Sequence, residues 1–535
     1  MPVLDSRIDP QSPGFKANAE AMQAHIDGFR AIEAAVTEAA EASRARYEKR
    51  GNIMPHDRLN LLLDPGSPFL ELGSLAGYMM YDDKDGTGAG AGCIAGIGHV
   101  SGTRCLIVVD NFAVKGGTIS PIGLTKKLRL QDIALENRLP LVTLAQSGGA
   151  NLAYAAEMFV IGGRAFANQA RLSAAGVPQV TVVHGSATAG GAYQPGLSDY
   201  IVMVRRQATT YLAGPPLLKA ATGEIATDED LGGAEMHTQT SGVGDYLARN
   251  DADGIRLARE IVAQLPWNEG REPARSYAEP IHSPDELIGI VPADPKTPYD
   301  CREIIARIAD GSGFLEFKSE YDGQTICGNA HIQGHPVGVI GNNGPITARG
   351  AAKGGQFIQL CEQAGIPILF LHNITGFLVG TDAEQSGIIK HGAKMIQAVA
   401  NATVPKISIN VGGSYGAGNY AMCGRGFDPR FLFSWPNSRT AVMGGAQAGM
   451  VLRIVAGAKM AKAGAVDEER LAAMETRTRE QMDSQTTALA STARMEDDGL
   501  IDPRDTRRVL GLVLDFCREA ERRKLRPNSF GVARF

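Results

Sequence analysis

The feature that most limits what this chain can fold into is that it is written twice. Lys126, Pro140, Gln146, Gly149, Pro178 and Tyr193 recur 227 residues later as Lys353, Pro367, Asn373, Gly376, Pro405 and Tyr420. Upstream, Ala95 to Asn111 matches Cys327 to Asn343 at an offset of 232, so the first copy holds five extra loop residues. Gly66-Ser67-Pro68-Phe69-Leu70-Glu71 is echoed by Gly311-Ser312-Gly313-Phe314-Leu315-Glu316. A chain of 535 residues exceeds what one core supports, and a repeat of this span divides into two similar domains. We expect a first domain over 1–270, a proline- and charge-rich linker over 271–292 and a second domain over 293–535.

Within each copy, short β-branched runs alternate with helical stretches. Cys105 to Val109, Leu141 to Leu144 and Val180 to Val183 have second-half counterparts in Val337 to Ile340, Ile368 to Leu371 and Ile407 to Asn410. Continuous apolar strands separated by helices belong to a sheet covered on both faces, so the fold class is α/β with crossover connections. Asn18 to Gly51 reads as an amphipathic helix on the outside of the first domain. The Ala/Glu/Arg-rich stretch after Met450 and the apolar run Val509 to Cys517 read as a helical tail that packs on a neighbouring domain or subunit.

Acidic and basic residues are interspersed and the net charge is −5, which gives no footprint for nucleic acid or an anionic membrane. Seven cysteines are scattered without a CxxC pair, so no zinc site and no disulfide framework is expected. Asp5, Asp9, Glu20 and Asp27 occupy the place of a basic targeting segment, and no apolar run reaches membrane-spanning length. These readings point to a cytoplasmic protein without a metal centre.

The chemistry-bearing segments are two Gly/Ala loops, Gly185 to Tyr193 and Gly412 to Tyr420. Each follows an apolar strand and precedes residues able to begin a helix. Backbone N–H groups there can approach a ligand closely, with the positive end of a helix dipole behind them, as an oxyanion hole requires. The turns Gln146 to Gly149 and Asn373 to Gly376 end the neighbouring strands and could wall the same clefts. Two loops in one register favour function over mere helix–strand packing. Neither loop carries Asp or Glu, so an enolate formed there would find donors but no adjacent carboxylate base. Gly90-x-Gly92-x-x-Ala95 lacks a preceding strand and is read as a turn. His99 and His331 are read as structural, and Ser186 and Ser414 lack a hydrolase context.

Ala213 to Glu224, Asn373 to Phe377, Lys390 to Met395 and Gly412 to Cys423 carry a resemblance. Over nearly its whole length the chain resembles the carboxyltransferase (β) subunits of biotin-dependent acyl-CoA carboxylases, in the branch acting on 3-methylcrotonyl-CoA and geranyl-CoA. That resemblance implies two tandem crotonase-like domains of β-β-α superhelical type, and a homo-hexamer core joined by biotinylated α subunits. The active site would lie between the first domain of one subunit and the second domain of another. Acyl-CoA would sit on the first domain and biotin on the second. The chain lacks a biotin-attachment signature and an ATP-grasp region, so biotin, ATP and Mg would belong to the partner.

The mechanism so implied is carboxyl transfer. Carboxybiotin releases CO₂, and the biotin ureido anion, held by Ala417 and Gly418, takes a proton from the 3-methyl group of the thioester. Gly190, Gly191 and Ala192 hold the dienolate oxygen, and its carbon attacks CO₂. Gly148, Gly149, Ala167, Ala187, Gln194, Thr375, Gly376, Phe377, Tyr415 and Ala446 would contact substrates. Methylcrotonyl-type relatives usually carry Cys at the place of Ala187, an aromatic at Ala167, Val at Gln194, Ala at Gly196 and Glu at Ala446. Loss of the aromatic at Ala167 would open room for a C10 isoprenoid chain, which favours geranyl-CoA over 3-methylcrotonyl-CoA. The alternatives are the leucine-degrading 3-methylcrotonyl-CoA carboxylase and, more distantly, a biotin-dependent glutaconyl-CoA decarboxylase. A non-catalytic CoA-binding subunit would not need intact loops, and a simple hydratase would not need two copies.

Overall fold

The computed structural model describes residues 1–268, 275–294 and 297–534, so part of the expected linker, 271–274, lies outside the described residues. Contacts divide the chain into two compact units. One gathers Arg30–Glu272, Ala493–Met495 and Phe516–Phe535, the other Met1–Phe29, Pro273–Thr492 and Glu496–Asp515. The expected ranges cut the chain once, whereas each unit also takes a segment from the far end. The N-terminal helix α1 (Pro13–Glu41) accordingly does not lie on the first unit alone. Its Asn18 amide donates to the Gly289 carbonyl of the second unit's own chain, and Glu33, beyond Phe29, accepts from Ser74.

The first unit is built on a mixed sheet. β1 (Cys93–Val100) and β2 (Thr103–Asp110) form an antiparallel hairpin, and β2 continues in parallel register to β3 (Leu141–Ser147), β4 (Gln179–Thr188) and β5 (Tyr200–Val204). Val109, Leu144, Val182 and Val202 stand side by side across four strands, all fully buried in one apolar cluster. α2 (Pro121–Glu136) and α3 (Ala155–Ala175) make the crossovers. Ser120 caps α2 by accepting from the Gly123 N–H, and Pro121 takes the first turn, where no N–H is needed.

The second unit repeats the plan. β6 (Thr325–Ile332) and β7 (His335–Asn342) form the hairpin, followed in parallel by β8 (Ile368–Ile374), β9 (Lys406–Tyr415) and β10 (Phe431–Ser434). α4 (Ala348–Ala364) and α5 (Ile388–Asn401) make its crossovers, and Thr347 caps α4 as Ser120 caps α2. The copies agree in detail. The pairing of β3 with β4 slips between Ala145 and Ser147, and that of β8 with β9 slips between His372 and Ile374, at the same register. Lys126 and Lys353, landmarks of the repeat, are both buried and hold backbone carbonyls. Lys126 Nζ donates to Gly73, Gly90 and Cys93, and Lys353 Nζ donates to Asp322. The crotonase-like α/β class expected from the sequence is the class observed.

The expected tail helices are α6 (Gly445–Lys462), α7 (Glu468–Gln485) and α8 (Thr506–Arg522), and Met450, Val451, Ile454 and Val455 of α6 are exposed. Among the described residues no helix is long and apolar enough to cross a membrane, and no group of three or more His, Cys, Asp or Glu side chains could hold a metal ion.

Candidate active site

The slip at the end of β3 and β8 throws the following turn beneath the Gly/Ala loop of the next strand. Gly149 has φ 83° and Gly376 has φ 127°, so each turn uses a conformation that glycine favours. The loops bend alike, with Ala189 at φ 52° and its counterpart Gly416 at φ 54°. A Cβ built on Gly191 would lie 4.0 Å from Gly149 Cα, and one on Gly418 would lie 3.0 Å from Gly376 Cα and 2.6 Å from Ile374 Cγ1. Turn and loop thus face each other twice, 227 residues apart.

A helical turn begins at each loop, a 3₁₀ turn over Ala189–Ala192 and an α-helix over Gly416–Ala421. The first N–H groups of such a turn have no acceptor within it. Those groups belong to Gly190 and Gly191 in one copy and to Ala417 and Gly418 in the other. The helices following the bends are short, Tyr193–Gly196 with four residues and Gly416–Ala421 with six. The helices expected after the loops are present but short, so donor character rests mainly on the local N–H groups.

In the first unit the loop opens onto a cavity of about 640 Å³ with mostly apolar walls. Ala187, Gly190, Gly191 and Gln194, all expected at the site, line it. So do Ala155, Phe159, Gly162, Phe166 and Gln169, the i, i+4, i+7 stripe of α3. Ala167 does not line the cavity; it lies about 100° around the helix from Phe166. Gly162 and Gly163, with no atom within 4 Å of a built Cβ, leave the cavity open. Ala192 is buried behind the loop, and a Cβ on Gly148 would meet the Gly116 carbonyl at 2.8 Å.

Two charged side chains also face this cavity, and sequence reasoning missed both. Asp110 ends β2 and accepts from the Gln146 N–H at 3.0 Å, and Lys127 lies on α2 opposite it. Burial pushes the Asp110 carboxyl up and pulls the Lys127 ammonium down, each opposed by the charge of the other. The expectation of no nearby carboxylate holds for the loops but not for the cavity. A search of the loop segments could not find Asp110, because β2 enters the site through the sheet.

Behind the first turn is a buried charged network. Arg58 donates to Gln146 Oε1 at 2.7 Å and to Asp251 Oδ2 at 2.9 Å, and Asp251 Oδ1 pairs with His184 Nδ1 at 2.9 Å. Burial pushes the Asp251 carboxyl up, but the His184 hydrogen bond and the Arg58 charge outweigh it and hold it at about 2. Burial and the Arg58 charge bring His184 down to about 4. The His184 ring is therefore neutral at ordinary pH, fixed by Asp251 immediately before the loop.

In the second unit the corresponding face holds a cavity of about 430 Å³ beside α1, lined among others by His25, Asn373, Thr375, Tyr415 and Arg439. Thr375 and Tyr415, expected near biotin, therefore lie together. Phe377 lies elsewhere: a Cβ on Gly392 would fall 2.9 Å from its ring, which packs against Ala348, Ala383 and Ile388. Its aromatic surface is used in packing, and its place in the motif reflects fold. Ala446 is exposed on the first turn of α6 and lines neither space. His372, which reaches Ser414 Oγ at 2.9 Å, is brought down to about 3 by burial.

Residues 46–532 match the carboxyl transferase domain. The β1 subunit of biotin-dependent 3-methylcrotonyl-coenzyme A carboxylase from Mycobacterium tuberculosis is 50% identical over 496 residues, 91% of this chain and 93% of that one. A probable methylcrotonoyl-CoA carboxylase β chain from Drosophila melanogaster is 46% identical, covering 96% of this chain and 92% of its own. The crystal structure of the β subunit of geranyl-CoA carboxylase from P. aeruginosa superposes with a TM-score of 0.94 at 63% identity, with both chains fully covered. The chain thus belongs to the carboxyl transferase family, among the β subunits of biotin-dependent acyl-CoA carboxylases of the 3-methylcrotonyl- and geranyl-CoA type.

Proposed function

We propose that this β subunit transfers a carboxyl group from carboxybiotin, carried by a biotinylated α subunit, to the 3-methyl carbon of geranyl-CoA. The observation that carries the substrate choice is the cavity of about 640 Å³ beside Gly190 and Gly191. Its apolar walls suit an isoprenoid chain, each buried CH₂ contributing about 0.8 kcal/mol. The 63% identity to a geranyl-CoA carboxylase β subunit supports the same choice.

In this reading the N–H groups of Gly190 and Gly191, with Ala192 supporting the turn, hold the thioester oxygen as it gains charge. Ala417 and Gly418 hold the ureido oxygen of biotin. A built Gly418 Cβ would fall 3.0 Å from Gly376 Cα, so glycine at both positions lets the turn pack closely behind these N–H groups. Carboxybiotin supplies both the CO₂ and the acceptor for the γ-proton. Ala187 and Gln194 bound the acyl chain, and Gly148 and Gly149 shape the turn beneath it. Thr375, Gly376 and Tyr415 shape the biotin side, while ATP and Mg act on the partner. The exposed apolar residues of α6 and α3 suit burial against further copies in a hexamer.

The test is ATP-dependent fixation of labelled bicarbonate by the chain co-purified with its biotinylated partner. Geranyl-CoA should be carboxylated with the higher kcat/KM. Reaction of 3-methylcrotonyl-CoA alone would make this the leucine-degrading enzyme.

A further inference from the structure

The acyl cavity is not apolar throughout, and its polar groups are incompletely matched. Lys126 and Lys127 are consecutive on α2. Lys126 Nζ donates to three carbonyls, whereas Lys127, which faces the cavity, has no acceptor or ion-pair partner within bonding distance among the described residues. One turn further along the same helix face, Gln131 also lines the cavity. Gln131 gives its amide N–H to the Ala165 carbonyl, and its side-chain oxygen, buried, has no donor. Across from them Asp110 uses one oxygen for the Gln146 N–H. A donor without an acceptor and an acceptor without a donor thus share one wall of an otherwise apolar space.

These groups sit away from the reacting end. β2 is two strands removed from β4, so Asp110 stands about 10 Å across the sheet from the Gly190 loop. A chain whose thioester lies at that loop brings its distal part, not its 3-methyl group, toward Lys127. A hydrocarbon terminus would seal an ammonium and an amide oxygen from water with nothing in exchange, an arrangement that buried polar groups avoid. A carboxylate terminus would meet Lys127 but confront Asp110, and a carbonyl would leave Gln131 unpaired. A hydroxyl accepts from Lys127 and donates to Gln131 or Asp110.

Building on the long-chain reading above, we propose that Lys127, Gln131 and Asp110 form a recognition point for a hydroxyl on the distal end of the acyl chain. The preferred substrate class is then distally hydroxylated 3-methyl-2-enoyl thioesters of isoprenoid length. The match survives a change of charge on either flanking group, since a hydroxyl both gives and accepts a hydrogen bond. The reaction that supplies such a substrate is a terminal hydroxylation of the isoprenoid chain.

The experiment compares kcat/KM of the assembled holoenzyme for 3-methylcrotonyl-CoA, geranyl-CoA and a geranyl-CoA bearing a terminal hydroxyl, with Lys127→Met measured alongside. The hydroxylated thioester should exceed geranyl-CoA by about tenfold or more in the unmodified enzyme. Lys127→Met should abolish that preference, chiefly through KM, and improve geranyl-CoA itself. Equal kcat/KM for the two long thioesters, or an equal fall for both in Lys127→Met, overturns the recognition point and leaves the long-chain reading standing. Reaction of 3-methylcrotonyl-CoA alone overturns both. The preference of the unmodified enzyme is read without any variant, so the result does not depend on the variant folding.

Discussion

The two units share a backbone plan to the level of one register slip, yet one is hollow where the other is filled. In the first, Gly123, Ala155, Gly162, Gly163 and Ala165 keep the space between α2, α3 and the sheet open. In the second, Phe357, Met395 and Phe377 occupy the space between α4, α5 and the sheet, with built Cβ atoms on Gly354 and Gly392 meeting Met395 and Phe377 at 2.8 and 2.9 Å. The support behind the turns is reversed. The first is backed by Arg58, Asp251 and His184, and the second faces a cavity. A duplicated scaffold can thus supply the same pair of N–H groups twice while side chains decide which copy keeps an apolar cavity beside them.

The comparison breaks first at Arg58. Arg58→Met leaves Asp251 buried without its charge partner, which costs about 3–5 kcal/mol and should appear as a large fall in Tm. No substitution in the second-unit cavity should match it, because among the described residues lining it there is no buried ion pair of this kind.

The next largest effect is at the glycine pair. Gly418→Ala puts a methyl 2.6 Å from Ile374 Cγ1 and against Gly376, and should lower kcat by about 10²–10³. Gly191→Ala meets nothing closer than 3.9 Å, so its Tm should stay near the parent value while activity falls. Equal loss of Tm in both variants would refute the tighter packing of the second pair.

Filling the hollow unit sharpens the contrast. Gly162→Phe places a ring at the centre of the α3 stripe and should lower kcat/KM for geranyl-CoA by about 10- to 200-fold, with 3-methylcrotonyl-CoA much less affected. Unchanged use of geranyl-CoA would show that the acyl chain does not enter this cavity.

The smallest effect is a pH slope. His184 is depressed to about 4 in the folded chain against 6.5 unfolded, so the unfolded state binds the extra proton between these values. Its contribution to stability is full above pH 6.5 and is lost as pH falls toward 4, at up to about 1.4 kcal/mol per pH unit. His372 is depressed to about 3 and adds a slope of the same sign that extends lower. Asp251, held at about 2, contributes above its unfolded value of 3.8 and loses that contribution as pH falls through 2. In chemical denaturation between pH 4.5 and 7, His184→Gln and His372→Gln should each flatten the slope by a similar amount, and only below pH 4 should the His372 contribution continue alone.

Much of the fold was legible because its signals are local. Strand runs and the Gly loops are each written in a few consecutive residues, and their recurrence fixed the register. The helix read over Asn18 to Gly51 was found as α1 over Pro13–Glu41, but its attachment was not legible, since Asn18 finds Gly289 only in space. Gly162 and Gly163, which leave the wall of the cavity open, carried no signal in the motif comparison that singled out Ala167, because which face of a helix borders a cavity is decided by packing.

The sequence by itself determined that there are two copies, that each ends its third and fourth strands in opposed glycine turns, and which family the chain belongs to. Those are properties of spacing, and spacing is preserved in a linear string. Only the tertiary structure decided that one copy is hollow, that Asp110 and Lys127 face its interior, and that Arg58 anchors the turn from behind. A cavity is the space that α2, α3 and four strands fail to fill together, and no single segment carries that volume.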